Sequence, residues 1–462
     1  MSKSKFPVYI LIMICLAFNH HANSQDAAAT KKFTLKQAQD YAMENNPTIL
    51  NAKLDNNIAK KTIWETTAIG LPQFNLKGTY SNIFKVPTIN FGQTTLNTIT
   101  TPANEPLTTS NFGKYVTLEY AEGQPIELGV KENTTFDFTV SQLIFSGAYI
   151  VGLQASRTYF QISKQNIIKS ESELREAIGN SYYQILVLEE NRKILESILE
   201  NMEKLANDTR EVYKQGFAEE TDADQVQLIK TNTENALNNV NRFIDIAYNY
   251  FKVNLGLELG EKVELSENIK DIVNSLDLNM LNQNFDVTKN INFQILSTSE
   301  QLTRLNLKKD ESNFLPTLSA YFNHQERMKK PQFDFMSPNT LGLSLTLPLV
   351  TSGQRLATVS KRKMEVEKAV NSKQQAAKLL EIEAQLAKND FNSRLEIYYN
   401  EKQNFQLAEK IYNRSLIKFK EGVISSVELT QLQNQYLTSQ NNYFNSISEL
   451  LKAKNKLVRV ME

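Results

Sequence analysis

Two stretches place carboxylates beside a glycine and just ahead of a helical pattern. One is YKQGFAEETDADQVQ at 213–227, holding Gly216, Glu219, Glu220 and Asp222; the other is FKEGVISSVELTQLQ at 419–433, holding Gly422 and Glu428. Carboxylates so placed have two open readings. They complement the partial positive charge at a helix N-terminus, or, gathered around an opening, they form a ring that favours cations. Glu219 and Glu220 read as solvated charges at a turn or as contacts for a basic partner. Other chemistry has few residues to use. His20 and His21 fall in the N-terminal segment, and His324 has no clustered partner, so it reads as a polar strand residue rather than a metal ligand. No nucleophile elbow, HExxH or phosphate loop occurs. No catalytic residue, cofactor or metal site is expected, and the chain reads as a non-enzyme.

The composition narrows the class. The chain has 462 residues, with 51 basic and 51 acidic, which leaves no electrostatic footprint for nucleic acid. MSKSKFPVYILIMICLAFNHHANSQ opens with Lys3 and Lys5, an apolar core and small residues before Gln25. Residues 1–24 read as a secretory signal peptide whose core is too short to span a bilayer. Cys15, the single cysteine, lies in that core, and Ile14 before it is too bulky for a lipid-attachment site. The exported chain would then carry no thiol. No later stretch reaches 18 apolar residues, so entry into a membrane would require a barrel.

The chain reads as one unit written twice. The same offset of 206 positions separates Gly147 in QLIFSG from Gly353 in PLVTSG, and Gly216 from Gly422. GLPQFNLKGTYS echoes NFLPTLSAYFNH through Pro72 and Pro316. Heptad steps run through Leu429, Leu432, Tyr436, Ser439, Tyr443, Ser446 and Leu450, and shifted by the offset they pass through Ala223, Val226, Lys230, Thr233, Leu237, Val240 and Ile244. Such repeats predict helices that supercoil against partners. From Gly147 to Gly216, and from Gly353 to Gly422, each helix would be about 100 Å long. The tip glycines then mark helix-turn-helix ends, with Thr221 or Asp222, and Ser425 or Ser426, fit to cap the next helix.

Period-two alternation predicts four strands. Leu341, Leu343, Leu345, Leu347 and Leu349 alternate with small or polar residues, as do Phe136, Phe138 and Val140. Phe74, Leu76 and Tyr80, then Leu318, Ala320 and Phe322, repeat the pattern more weakly. Residues 85–132 read as a long Thr-, Asn- and Pro-rich loop, and 325–337 as its short counterpart. Four strands cannot close a membrane barrel, and an open edge cannot face lipid, so a membrane role demands oligomerisation.

In this order and spacing, FTLKQAQDYAMENNPTI at 33–49, the two Leu-Pro segments, the Ser-Gly ends of the strands and the paired tips resemble the TolC-like outer-membrane efflux proteins. The resemblance covers nearly the whole chain after the leader. It implies an α+β membrane protein in which a long α-helical coiled-coil barrel continues a transmembrane β-barrel. Both would be assembled from a homotrimer, with four strands per chain and internal duplication. The expected domains are the signal peptide 1–24, a first repeat 25–256, an equatorial linker 257–290 and a second repeat 291–462. The function implied is an exit duct for efflux or type I secretion in a Gram-negative outer membrane, reaching into the periplasm. Its partners would be outer-membrane lipid, a periplasmic adaptor and an inner-membrane transporter of RND, ABC or MFS type. The resemblance also implies a gate. Thr221 and Asp222 match its first tip. Phe419 and Ile424 stand where it can carry a tyrosine and an arginine, so a charged lock to Asp222 is missing. Glu428 matches one acidic ring, and Gln431 departs from a second. The alternative reading is a periplasmic coiled-coil adaptor without its own barrel, which would carry one hairpin rather than two.

Overall fold

The computed structural model describes residues 30–461 except 91, 99–104, 107, 122, 124 and 332–333. The leader assigned to 1–24, with Cys15, lies outside the described residues. In chain order come β1 (Lys31–Phe33), α1 (Leu35–Asn45), α2 (Pro47–Ala68), β2 (Gln73–Asn82), β3 (Thr88–Asn90), β4 (Gln93–Thr98), α3 (Phe112–Tyr115), β5 (Val116–Ala121), β6 (Pro125–Glu127) and β7 (Glu132–Phe145). The long helix α4 (Gly147–Lys214) and α5 (Glu220–Leu255) follow, then β8 (Val263–Leu265) and α6 (Ile269–Asn274). A second run holds α7 (Ile291–Ser312), β9 (Thr317–Arg327), β10 (Asn339–Thr346), α8 (Gln354–Lys420) and α9 (Ser426–Met461). The chain divides into two compact units, each drawing on both halves of the sequence. One holds Ile162–Ser297 and Ser372–Glu462 with the segment ending at Asn56; the other holds Asn57–Gln161 and Thr298–Asn371.

Local chemistry explains the first helices. Thr34 and Gln37 form a reciprocal capping box, Gln37 N donating to Thr34 Oγ1 at 3.2 Å and Thr34 N to Gln37 Oε1 at 3.0 Å. Asn46 Oδ1 accepts from Thr48 N at 2.7 Å, and Pro47 takes the first helical position, where its missing N–H costs nothing. The NNP of the sequence is thus a stop and a restart.

One unit contains a four-stranded antiparallel sheet in the order β10-β9-β7-β2. Register sorts its side chains by face. Phe74, Leu76 and Tyr80 align through Phe136, Phe138 and Val140 with Leu318, Ala320 and Phe322, and these with Leu341, Leu343 and Leu345. These rows are apolar and open, Leu341 being 81% exposed and Phe74 78%, while Gln142, His324, Glu326 and Asn339 share the face. The opposite face carries Asn75, Lys77, Asp137, Thr139, Ser319, Tyr321, Asn323, Gln325, Ser344 and Thr346. Strand β10 ends at Thr346, so Leu347 and Leu349, expected in the strand from their alternation, fall outside it. Pro348 has no N–H to continue the ladder.

The stretch read as a loop at 85–132 is partly strand. β3 pairs with β6 and β4 with β5, both antiparallel and nested, so the segment forms a ribbon between β2 and β7. Its strands are short, three to six residues, and β4 is built mainly from Thr, Asn and Gln, which leaves only the brief alternation of Val116, Leu118 and Tyr120 in β5 as a periodic signal. The linker 257–290 likewise holds β8, paired in parallel with β1, and the helix α6.

The other unit is helical and its core follows the heptads. α4 has 68 residues and α8 has 67, and neither contains a proline. α5 and α9 each have 36 residues. α8 carries Phe391, Tyr398, Phe405, Tyr412 and Phe419 at strict seven-residue spacing. Phe405 stacks on Tyr443 at 5.0 Å and on Tyr436 at 5.7 Å between centroids, and Tyr412 stacks on Tyr436 at 5.0 Å. Rings from two helices therefore alternate in one column, each pair contributing about 0.5–1.5 kcal/mol beyond its buried area. α9 is buried on a second face as well, through Gln433, Gln440, Phe444, Ile447 and Leu451. That face meets the first-half helices: Gln433 Nε2 donates to Thr233 Oγ1 at 3.1 Å and Gln440 Nε2 to Asn191 Oδ1 at 2.6 Å.

Candidate functional site

The two tips are built alike. Gly216 N donates to Tyr213 O at 2.8 Å and Phe217 N to Val212 O at 3.0 Å; Gly422 N donates to Phe419 O at 3.0 Å and Val423 N to Lys418 O at 2.9 Å. These paired bonds are Schellman closures, with glycine at the left-handed position, φ 80° at Gly216 and 72° at Gly422. The residues that follow, Phe217 and Val423, are 82% and 65% exposed.

The caps differ. Ser425 Oγ accepts from Glu428 N at 3.2 Å, as a serine N-cap should. At the first tip the capping position is Glu219, which makes no side-chain cap bond. Thr221 and Asp222, expected as caps, lie inside α5 instead, and Thr221 Oγ1 donates to Glu219 Oε2 at 3.3 Å. The carboxylate of Glu219 occupies the place where a shorter serine would reach the backbone. Ser426 is the first residue of α9 and is buried.

The gate candidates separate by environment. Phe419 and Ile424 are half-buried and pack against the apolar cluster that contains Met202, Val226, Tyr412 and Leu429. Asp222 is half-buried and makes no ion pair among the described residues, whereas Glu219, Glu220, Glu428 and Gln431 are exposed. Asp222, Glu220 and Glu428 stand in the first turns of their helices, where the dipole reading also applies. Sequence reasoning missed a polar tie close to the tips: Thr430 Oγ1 donates to Gln225 Oε1 at 3.2 Å, joining α9 to α5. Its signal, two polar residues on interior heptad flanks, is indistinguishable from surface in one dimension.

The transition residues also part company. Pro72 and Pro316 each precede a strand of the sheet. Gly147 is the first residue of α4, where a Cβ would come within 2.8 Å of Leu315 Cδ1. Gly353 instead lies before α8 in a left-handed turn at φ 80°, following Ser352 at φ 47°. Equal spacing therefore hides two physical reasons for glycine. On the polar face of the sheet a network runs across strands: Gln325 Nε2 donates to Asp137 Oδ1 at 2.7 Å, Arg327 Nε to Gln325 Oε1 at 3.0 Å, and Arg327 Nη1 to Asp334 Oδ1 at 3.1 Å. His324 lies on the opposite face, its Nδ1 2.7 Å from Asn339 Oδ1.

An amphipathic four-stranded sheet followed twice by a helix of nearly 70 residues is a rare combination, and solved structures share it. CusC, known from crystal structures of folding and transmembrane channel formation, superposes with a TM-score of 0.71 at 13% identity, covering 95% of each chain. The fold is that of the TolC-like outer-membrane channels. The Campylobacter jejuni CmeC outer membrane channel gives 0.68 at 14% identity, over 92% of this chain and 85% of its own. The open state of the Neisseria gonorrhoeae MtrE outer membrane channel gives 0.68 at 11% identity, over 92% and 88%. No protein-family model matches the chain, and no curated protein sequence does. What is common to this TolC-like chain and those channels is the fold, and function has to be argued from its own residues. Among the described residues no helix is long and apolar enough to cross a membrane, and no group of histidine, cysteine and carboxylates is placed to hold a metal.

Proposed function

We propose that the chain is one protomer of a homotrimeric exit duct in a Gram-negative outer membrane, serving efflux or type I secretion with a periplasmic adaptor and an inner-membrane transporter. The observation that carries this is the sheet: one face carries most of its large apolar side chains, many of them exposed, the other is mostly polar, and the edge strands β2 and β10 are unpaired along their outer sides among the described residues. Unpaired backbone cannot face lipid. Copies must close the sheet, and three copies give twelve strands, above the smallest membrane barrels. Apolar stripes on the helices point the same way. Phe243, Ile246, Tyr250 and Val253 on α5, and Leu379, Ile382 and Leu386 on α8, recur at helical spacing and are exposed in the single chain. A second copy would cover them.

The repeats 25–256 and 291–462 are read as copies of one ancestral unit, joined by 257–290. The gate is assigned to the tips at Gly216 and Gly422. Phe419 and Ile424 close the tip through apolar contact rather than a charged lock to Asp222 beside Thr221, and a ring of Glu428 sets a preference for cations, Gln431 adding no charge. Glu219, Glu220 and the exposed Phe217 and Val423 offer the surface for an adaptor. The test is envelope fractionation, then light scattering on the detergent-extracted particle. Three chains per particle, found only in the outer membrane, supports the duct. A monomer in the soluble periplasmic fraction overturns it and returns the adaptor reading.

A further inference from the structure

Tyr321 lies on the polar face of the sheet, between Ser319 and Asn323 on β9, and pairs across to Gly342 on the edge strand β10. Its ring is not upright. A Cβ built on Gly342 would stand 2.6 Å from both the ring Cζ and the hydroxyl, and 2.8 Å from Cε1. The phenol is folded down over the bare backbone of the edge strand, in a space that any other residue at 342 would fill. The neighbours of Gly342 on that face, Thr340 and Ser344, have side chains of their own. Glycine in a strand interior weakens the strand and usually marks a place where something approaches the backbone closely. Here the approaching group is Tyr321.

We propose that Gly342 holds Tyr321 flat and so sets the clear width of the passage along the polar face; this rests on the duct reading, in which that face lines the lumen. An eight-strand barrel is already filled by its side chains. A twelve-strand lumen is wider, and three aromatic rings swung inward would narrow it for bulky cargo while leaving small solutes unaffected. Tyr321 is thus a specificity-determining residue for solute size on the exit side. β9 runs from Thr317, near the helices, to Arg327, next to the turn into β10, so Tyr321 stands between Thr317 and that turn.

The test uses a thiol reporter, since the chain has no cysteine beyond Cys15. Thr317→Cys places a thiol on the polar face, past Tyr321 as seen from the β9–β10 turn. Intact cells are treated with a polymer-linked maleimide or with the small N-ethylmaleimide. Gly342→Ala should slow the bulky reagent by about threefold or more, because rings entering the lumen narrow it, and leave the small one unchanged. Adding Tyr321→Ala should restore the parent rate. An unchanged rate in Gly342→Ala, or a slow rate that persists in the double variant, overturns the proposal. If Gly342→Ala does not assemble, Tyr321→Ala alone decides: a rate close to the parent fits a ring already flat, and a large acceleration refutes it. A parent reporter that is labelled in detergent but by neither reagent on cells overturns the duct reading itself.

Discussion

Gln440 offers a sharp check on how the hairpins are held together. It is 1% exposed, Asn191 opposite it is 8% exposed, and its Nε2 donates to Asn191 Oδ1 at 2.6 Å. Its Oε1 is buried without a hydrogen-bond partner. An orphaned buried polar group costs about 1–3 kcal/mol. Asn191→Leu leaves both arms of Gln440 unpaired and should destabilise each chain by about that amount. Gln440→Leu exchanges one orphan, its own Oε1, for another, Asn191 Oδ1, and should fall within about 1 kcal/mol of the parent. The double substitution leaves no orphan and buries two apolar side chains, so it should stabilise by about 1–3 kcal/mol. The cycle is strongly non-additive, as contacting polar pairs should be. The assay is the rate of loss of the far-ultraviolet helix signal in detergent at a fixed elevated temperature. A change of about 1.4 kcal/mol in the activation free energy of such a decay reads as a tenfold change in half-life. Equal costs for the two single variants, with the double variant showing their sum, would refute the reasoning.

Other expectations follow from the same helices. Burial pushes the Tyr183 and Tyr436 phenols up to about 12. The unfolded phenols ionise near 10, so this contribution to stability is complete below pH 10 and is lost as pH rises from 10 towards 12; tyrosinate absorbance from these rings should appear only with loss of helix, and earlier ionisation would contradict their burial. Phe405→Ala removes the ring between Tyr436 and Tyr443 and should cost about 3–5 kcal/mol, with Phe405→Leu retaining more than half; a Phe405→Leu variant that melts with the parent would show that the stacking adds nothing. At the tip, Phe419→Ser should raise single-channel conductance in planar bilayers while Asp222→Asn leaves it unchanged, because Asp222 has no ion-pair partner among the described residues; the reverse result would favour a charged lock. Glu428→Gln should lower the cation-to-anion permeability ratio, and an unchanged ratio assigns Glu428 to the helix dipole alone.

Periodicity and spacing in the sequence determined the two pairs of long helices, the tip glycines and the amphipathic strands, because each depends on residues within a few turns of one another. The seven-residue steps through Leu429, Tyr436 and Tyr443 name one buried seam of α9 without any partner being known. The second seam was invisible. Gln433 and Gln440 look like surface in a hydrophobic pattern, and only the arrival of Thr233 and Asn191, about 200 and 249 positions away in the chain, buries them. The ribbon of β3 to β6 has short strands, and the Thr- and Asn-rich sequence of β4 masks the short apolar alternation of β5. Gly147 and Gly353 share a spacing but not a reason, one facing Leu315 and the other turning left-handed. Tyr321 over Gly342 is the same lesson in the sheet: alternation assigns a residue to a face, but whether its ring stands or lies down is decided by the backbone it meets on the next strand.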